Sequence, residues 1–350
     1  MPEIRVAIIG VGNCCSALVQ GVEFYKKYRS EPLGLMHWDV GGYLPSDLKF
    51  AVAFDVDRRK VGEDLSEAIY AEPNTVPSFI DVPRLGAPVL RGPTLDGVGE
   101  YTKELIELDE GEAVDVVEAL KRQGVEIVVN LLPSGADEAS AWYAKQALEA
   151  GCAFVNATPT PIVSDRGLGE LFREASLPAA GDDLMDQIGA TILHMDLLSF
   201  LNERGVRIDE SYQLDVGGGA ESLSTLERGR ELKRRIKTGV VGSAVPYRFP
   251  LVAGSTDYVD FLGNHRDSLF WIKGRYFCGA PLTIDIRLET MDGPNAGAVL
   301  LDVIRAVKLA MDRGLSGPLI PVSAYAFKMP PERLDIREVR RRFEEFIAGK

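Results

Sequence analysis

Positions 6 to 9 run Val-Ala-Ile-Ile without a polar break, and Gly10 and Gly12 follow at once. An apolar run of this kind, bounded by turn residues, reads as a strand buried on both faces, as in a parallel sheet. Residues 17–24 then space their apolar side chains as a helix does. The alternation continues down the first half of the chain. Residues 50–55 predict a second strand ending in Asp55, 58–70 has helical character, and 73–93 is rich in turn formers and reads as loop. Residues 113–123 predict an amphipathic helix that stops at Gly124, and 125–133 a strand running into a loop. A helix over 140–150 closes at Gly151, and strands follow at 153–159 and 177–180. This order predicts a parallel, doubly wound α/β sheet, whose ligands lie at the carboxyl ends of its strands. Asn130, Asn156, Thr158, Asp182 and Asp183 stand at such ends.

The pattern changes past residue 192. Residues 211–216, 245–252, 268–277 and 281–291 alternate with a period of two, which predicts strands of an antiparallel sheet. Among them, 223–237 reads as a basic helix. From 295 the pattern is helical again and apolar enough to pack back on the first part, and 337–350 reads as a charged surface helix. The expected architecture is a split Rossmann-type NAD-binding domain, residues 1–192 and 295–350, with an inserted α+β sheet domain, 193–294, for substrate and subunit contacts.

The chemistry begins at the first turn. A glycine turn from strand to helix aims free backbone N–H groups and the positive helix end at an anion, commonly a dinucleotide pyrophosphate. Gly10, Gly12, Asn13 and Cys14 form this turn, and Cys15 fills the third fingerprint position, where glycine is the usual residue. Asp55, ending the second strand, suits the adenosine ribose hydroxyls and disfavours a 2′-phosphate, which selects NAD over NADP. It comes later than the simple fingerprint places it, so 28–47 is an insertion in the first crossover.

Composition narrows the partners. A net charge of −13 over 350 residues argues against nucleic acid or an anionic membrane, while a local basic pocket still admits an anionic small molecule. Four cysteines without CxxC spacing and three histidines point to neither a disulfide frame nor a histidine metal site. Glu3 and Arg5 interrupt any apolar leader and no run is long enough to span a bilayer, so a cytoplasmic protein is expected.

Six stretches in order, 10–13, 53–57, 91–97, 181–183, 189–191 and 318–321, resemble the short bacterial form of inositol-3-phosphate synthase (myo-inositol-1-phosphate synthase), and the similarity runs from about Ile4 to Pro331. The resemblance implies a split Rossmann domain with a central sheet domain, a homotetramer, and recycled NAD converting glucose 6-phosphate to inositol 3-phosphate. That reaction oxidises C5, enolises at C6, closes the ring by aldol attack on C1 and re-reduces C5. It further implies Lys237, Lys328, Asp183 and Asp292 as catalytic residues. Arg234, Arg266, Gly219, Ser224 and Glu221 would bind substrate or phosphate. Asp96, Asn130, Pro133 and Asp182 would join Gly10, Gly12, Asn13, Cys14 and Asp55 around the cofactor. Some relatives need a divalent or monovalent cation, for which Asp182, Asp183 and Asp292 are the available carboxylates.

The chain departs from the family where lysines are usual. Met185 stands in place of one, Arg234 of another across a one-residue gap, and Arg266 of a third; Gly219 and Ser224 stand where asparagines are usual. Arginine keeps charge and clamps phosphate but does not shuttle protons near neutral pH. The alternatives are therefore a cyclase with an altered substrate, making a five-membered carbocycle from fructose 6-phosphate, a sugar-phosphate oxidoreductase that releases NADH, and a non-catalytic binder.

Overall fold

The computed structural model describes residues 3–29 and 32–350; Ser30 and Glu31, within the expected insertion, lie outside the described residues. Strand β1 (Ile4–Ile9) buries every side chain except Arg5. Ile4, Val6 and Ile8 pack into one core, and Ala7 and Ile9 into the core on the opposite face. The apolar run thus reflects a sheet covered on both sides. Helix α1 (Asn13–Lys27) follows the glycine turn, and β2 (Leu48–Asp55) returns parallel to β1 with Ile8 opposite Ala53.

Next come α2 (Leu65–Ala68), β3 (Val89–Arg91), α3 (Val116–Arg122), β4 (Ile127–Asn130), α4 (Asp137–Ala150), β5 (Ala153–Asn156), α5 (Arg166–Glu174) and β6 (Pro178–Gly181). Two expectations fail here. Only four residues of 58–70 are α-helical, started by the Asp64 side chain on the Ser66 N–H. The stretch 73–93, read as loop, ends in β3, which pairs with β2 through Ala53, Phe54 and Asp55. A three-residue edge strand is too short to show a period.

Helix α6 (Ala190–Glu203) leads into the second sheet: β7 (Arg207–Gly217), α7 (Ala220–Ser224), a π turn (Thr225–Gly229), α8 (Arg230–Gly242), β8 (Leu251–Tyr258), β9 (His265–Arg275) and β10 (Pro281–Met291). The chain returns through α9 (Asp292–Asp312), β11 (Gly317–Pro318), α10 (Ile320–Ala326) and α11 (Ile336–Ile347). The first sheet has seven strands in the order β11-β6-β5-β4-β1-β2-β3, all parallel. The second has four, β10-β9-β7-β8.

The second sheet is not wholly antiparallel, as the alternation suggested. β8 runs parallel to β7, because the connection between them is the α7–α8 crossover, not a hairpin. The strand expected at 245–252 begins only at Leu251. β7 also carries polar residues where a core strand is normally apolar: Ser211, Gln213 and Asp215 alternate on its buried face.

Two contacts fix the parts around the site. α9 crosses α1 so closely that a Cβ at Gly293 would lie 3.0 Å from the Asn13 carbonyl oxygen, which sets Asp292 beside the glycine turn. The described part of the insertion is latched to α9 by Arg305, fully buried, which donates to the carbonyls of His37, Trp38 and Tyr43. Asp302 accepts from Arg305 at 2.8 Å and bonds the His37 ring at 2.6 Å.

Candidate active site

A cavity of about 260 Å³ runs from the first glycine turn to the second sheet. At its first end, Gly10 adopts φ +89°, and a Cβ there would press to 3.1 Å from the Leu131 carbonyl oxygen. Gly12 caps α1 without any side-chain hydrogen bond, and a Cβ on it would meet nothing within 4 Å. The opening N–H groups of α1 therefore face open space, the cradle a pyrophosphate requires. Asp55 accepts from the Val11 N–H at 2.6 Å and from the Val56 and Asp57 N–H groups at 2.7 and 2.9 Å. It lines the cavity together with Asn13, Cys14 and Pro133. Cys14 is inert as a nucleophile: burial, with Asp292 and Glu221 adding to it, pushes its thiol up to about 12. These residues fit a dinucleotide.

The far end is built from four cation–carboxylate pairs on different elements. Lys233 and Lys237 lie four residues apart on α8 and so share a face. Lys233 donates to Glu221 and Lys237 to Asp215, each at 2.7 Å. Arg266, from β9, grips Asp292 through Nε and Nη2 at 2.6 and 2.7 Å. Lys328, after α10, donates to the Leu184 carbonyl at 2.5 Å and lies 3.4 Å from Asp183.

The pairs differ electrostatically. Burial, with Arg266 and Lys328 adding repulsion, holds the Lys237 ammonium below its ordinary value despite Asp215. Burial opposes charge on Lys233 too, but there Glu221 and Asp183 outweigh it and the value rises. Glu221, against the effect of its burial, is held down at about 2 by Lys233 and by donors from Ser134. Asp215 is likewise held at about 2 by Lys237 and Arg266 against burial. Lys233 thus holds its proton tightly, whereas burial loosens the hold of Lys237 on its own.

Of the residues singled out in the sequence, Gly10, Gly12, Asn13, Cys14, Asp55 and Pro133 line the first end, and Asp183, Gly219, Glu221, Lys237, Arg266, Asp292 and Lys328 the second. Five are placed elsewhere. Arg234 is 46% exposed, beside Glu231, because it lies one position past the cavity face of α8; Lys233 occupies that face instead. Asp182 is fully buried and accepts from the N–H groups of Ile162, Val163 and Ser164, so it ties a loop together and does not line the cavity. Asp96 caps α4 through the Glu138 and Ala139 N–H groups. Asn130 spends its side chain on Asn156 and the Leu132 N–H. Ser224 donates to the Ser134 carbonyl behind the cavity wall. Glu221 is reassigned: an anion bonded to Lys233 and to Ser134 holds the lysine in place and would repel a phosphate.

Met185 is buried and does not line the cavity. The residues sequence reasoning missed are Lys233, Asp186, Asp215 and Lys60. The last is buried under the turn and donates to the Val11 carbonyl at 2.8 Å. Lys233 was legible from its i, i+4 spacing to Lys237; Lys60 and Asp215 carried no motif. Among the described residues, no group of three or more His, Cys, Asp or Glu is placed to hold a metal ion, and no helix is long and apolar enough to cross a membrane.

Comparison with known proteins bears on the family and the fold. The family model for myo-inositol-1-phosphate synthase matches residues 189–293. An inositol-3-phosphate synthase of Mycobacterium tuberculosis is 46% identical over 355 residues, covering 99% of this chain and 96% of that protein. The crystal structure of Ari2 superimposes with a TM-score of 0.81 at 32% identity, over 99% of both chains. A myo-inositol-1-phosphate synthase-related protein from Thermotoga maritima gives 0.83 at 25% identity, over 99% and 98%. The chain belongs to the inositol-3-phosphate synthase family.

Proposed function

We propose that the protein is an NAD-dependent cyclase that converts glucose 6-phosphate to inositol 3-phosphate. One observation carries this reading: a buried lysine of lowered proton affinity, Lys237, stands among three other cations across one cavity from an open glycine turn. A plain binder needs no such tuning. Residues 1–192 with 295–350 supply the turn, Asp55 and Lys328, and 193–294 supplies Lys233, Lys237 and Arg266.

When bound, NAD supplies a hydride acceptor for oxidation at C5 and, once reduced, the donor that restores the alcohol, so there is no net redox change. The residues do the rest. Lys237 exchanges one proton at a time: it takes the C5 hydroxyl proton during oxidation and hands it to the substrate phosphate, takes a C6 proton during enolisation, and after ring closure relays the stored proton back to the C5 oxygen. Lys233 and Lys328 stabilise the enolate and alkoxide oxygens by their charge. The C6 carbon attacks the C1 aldehyde, the C6–C1 bond forms, and the C1 oxygen takes its proton from Lys237. Arg266 is committed to Asp292 by two nitrogens, and its Nη1 remains to meet phosphate. Asp183 and Asp292 position Lys328 and Arg266 respectively.

The test is incubation with NAD and glucose 6-phosphate, followed by carbon and phosphorus NMR. Inositol 3-phosphate without accumulated NADH is expected; reduced cofactor in step with an oxidised product would overturn the reading. A second substrate, fructose 6-phosphate, is favoured by Gly219, which lines the cavity without the side-chain hydrogen bond that the resemblance implies for an asparagine there. Attack of C6 on its C2 ketone gives a five-membered carbocycle, and a new product from the fructose ester alone would establish that route.

A further inference from the structure

Behind Lys237 the polar residues of β7 form one continuous buried chain. Asp215 Oδ2 accepts from Lys237 at 2.7 Å. The Gln213 amide nitrogen donates to both Asp215 oxygens, at 3.2 and 3.0 Å, and Ser268 donates to Oδ1 at 2.8 Å. Gln213 Oε1 faces His194 Nδ1 at 3.3 Å, and His194 Nε2 faces Ser211 Oγ at 2.8 Å. The Ser211 hydroxyl also lies 2.8 Å from the Trp271 carbonyl. His194 and Gln213 are fully buried and Asp215 nearly so. None of His194, Gln213 and Ser211 lines the cavity, so none touches a ligand there.

We propose that His194 and Gln213 are positioning residues for Lys237, acting through Asp215 along this chain. The inference rests on the reading of Lys237 as the proton-exchanging group.

The donor pattern fixes the direction of the links from Asp215 to His194. Asp215 is ionised and only accepts, so Gln213 turns its nitrogen toward the carboxylate and its oxygen toward the imidazole. The oxygen only accepts, so Nδ1 carries the ring proton and Nε2 is left as an acceptor, which competes with the Trp271 carbonyl for the single Ser211 hydroxyl proton. Burial, outweighing Gln213 and Asp215, holds the imidazole down at about 4, so the ring is neutral at neutral pH. The edge of His194 packs on Phe270 of β9, with ring centroids 5.4 Å apart. The charges facing Lys237 come from three elements: Asp215 on β7, Arg266 on β9 and Lys328 after α10. Gln213 and Ser268 spread the Asp215 charge over two neutral donors and weaken its pull on the ammonium. Loss of the Gln213 donor concentrates that charge on Lys237 and raises its proton affinity.

The variants are Gln213→Met, which keeps volume and loses both amide ends, His194→Leu, and His194→Asn, whose amide nitrogen replaces the Nδ1 donor. The pH profile of kcat on glucose 6-phosphate with saturating NAD is read first. Gln213→Met and His194→Leu are expected to lower kcat at neutral pH about three- to tenfold, corresponding to a half to one pKa unit. KM should hold within about twofold, and kcat should recover at alkaline pH. His194→Asn should follow the parent. A profile that does not move in Gln213→Met, or a loss equal at every pH with His194→Asn no better than His194→Leu, would overturn the proposal. The second readout needs no turnover: competitive labelling of Lys237 by acetic anhydride against pH, followed by mass spectrometry. If the parent does not turn over hexose phosphates, the reading of the reaction fails, and the labelling midpoint still decides. An upward shift in Gln213→Met supports the chain; an unchanged midpoint overturns it.

Discussion

Arg234 and Lys233 are neighbours with opposite fates, and the cause is one helical step. Each residue turns an α-helix by about 100°, so only one of two adjacent cations can share a face with Lys237. Lys233 reaches Glu221 in the cavity, whereas Arg234 meets solvent and Glu231. Lys233→Ala should lower kcat/KM by about 100-fold or more, the size of a lost transition-state donor, while Arg234→Ala stays within about twofold. Steady-state kinetics on the pair checks this. The misassignment came from counting by motif across a presumed gap instead of by helical period. Asp182 shows a different limit. The end of a sheet strand is where ligands bind, but it is also where loops need acceptors, and only the three N–H groups aimed at Asp182 decide between the two. Asp55, Gly10 and Gly12 were readable because strand, turn and acid form a local pattern; Asp215 was not, because its partner lies on another element.

Among the elements, the α7–α8 crossover is the one whose irregularity matters. Its π turn inserts one extra residue between Glu221 and Lys233, which lie twelve positions apart. In an unbroken α-helix the partner of Glu221 at this distance falls eleven positions on, so the π turn brings Lys233 and Lys237 into line with it. Insertion of one alanine after Gly229 rotates both lysines by about 100° and should abolish turnover while NAD binding, through the first sheet, persists. Deletion of one residue within the turn relaxes it to α and should retain measurable turnover. Isothermal titration with NAD beside an activity assay separates these outcomes. The sheets themselves show what alternation can and cannot reveal. It predicted strands after residue 192, but strand direction depends on the connection, and the β7–β8 crossover was read as a helix without its consequence for pairing.

At the scale of the whole molecule, the latch over α9 couples stability to pH. Its hydrogen bond to Asp302, and a second to Glu344, raise the His37 imidazole above its ordinary 6.5, against partial burial. A raised folded value means that the contribution is fully present below 6.5 and fades as pH climbs through the folded value. His37→Asn should therefore melt below the parent in mild acid and converge with it in alkali, which calorimetry across that range would show. The latch was invisible in the sequence, where His37 and Asp302 are 265 positions apart. The division into two sheets was visible, because period and composition shift together near residue 192.

The return of the chain to its first sheet has a consequence for biosynthesis. β6 waits for its outer neighbour, β11, until Gly317 and Pro318 have been made, and Lys328 comes later still. In between, the entire second sheet is synthesised. A nascent chain can hold the glycine turn and both α8 lysines and yet lack Lys328. Ribosome-bound intermediates of this protein therefore keep the β6 edge open from residue 181 to residue 317, and the cavity is completed only when nearly the whole chain has emerged.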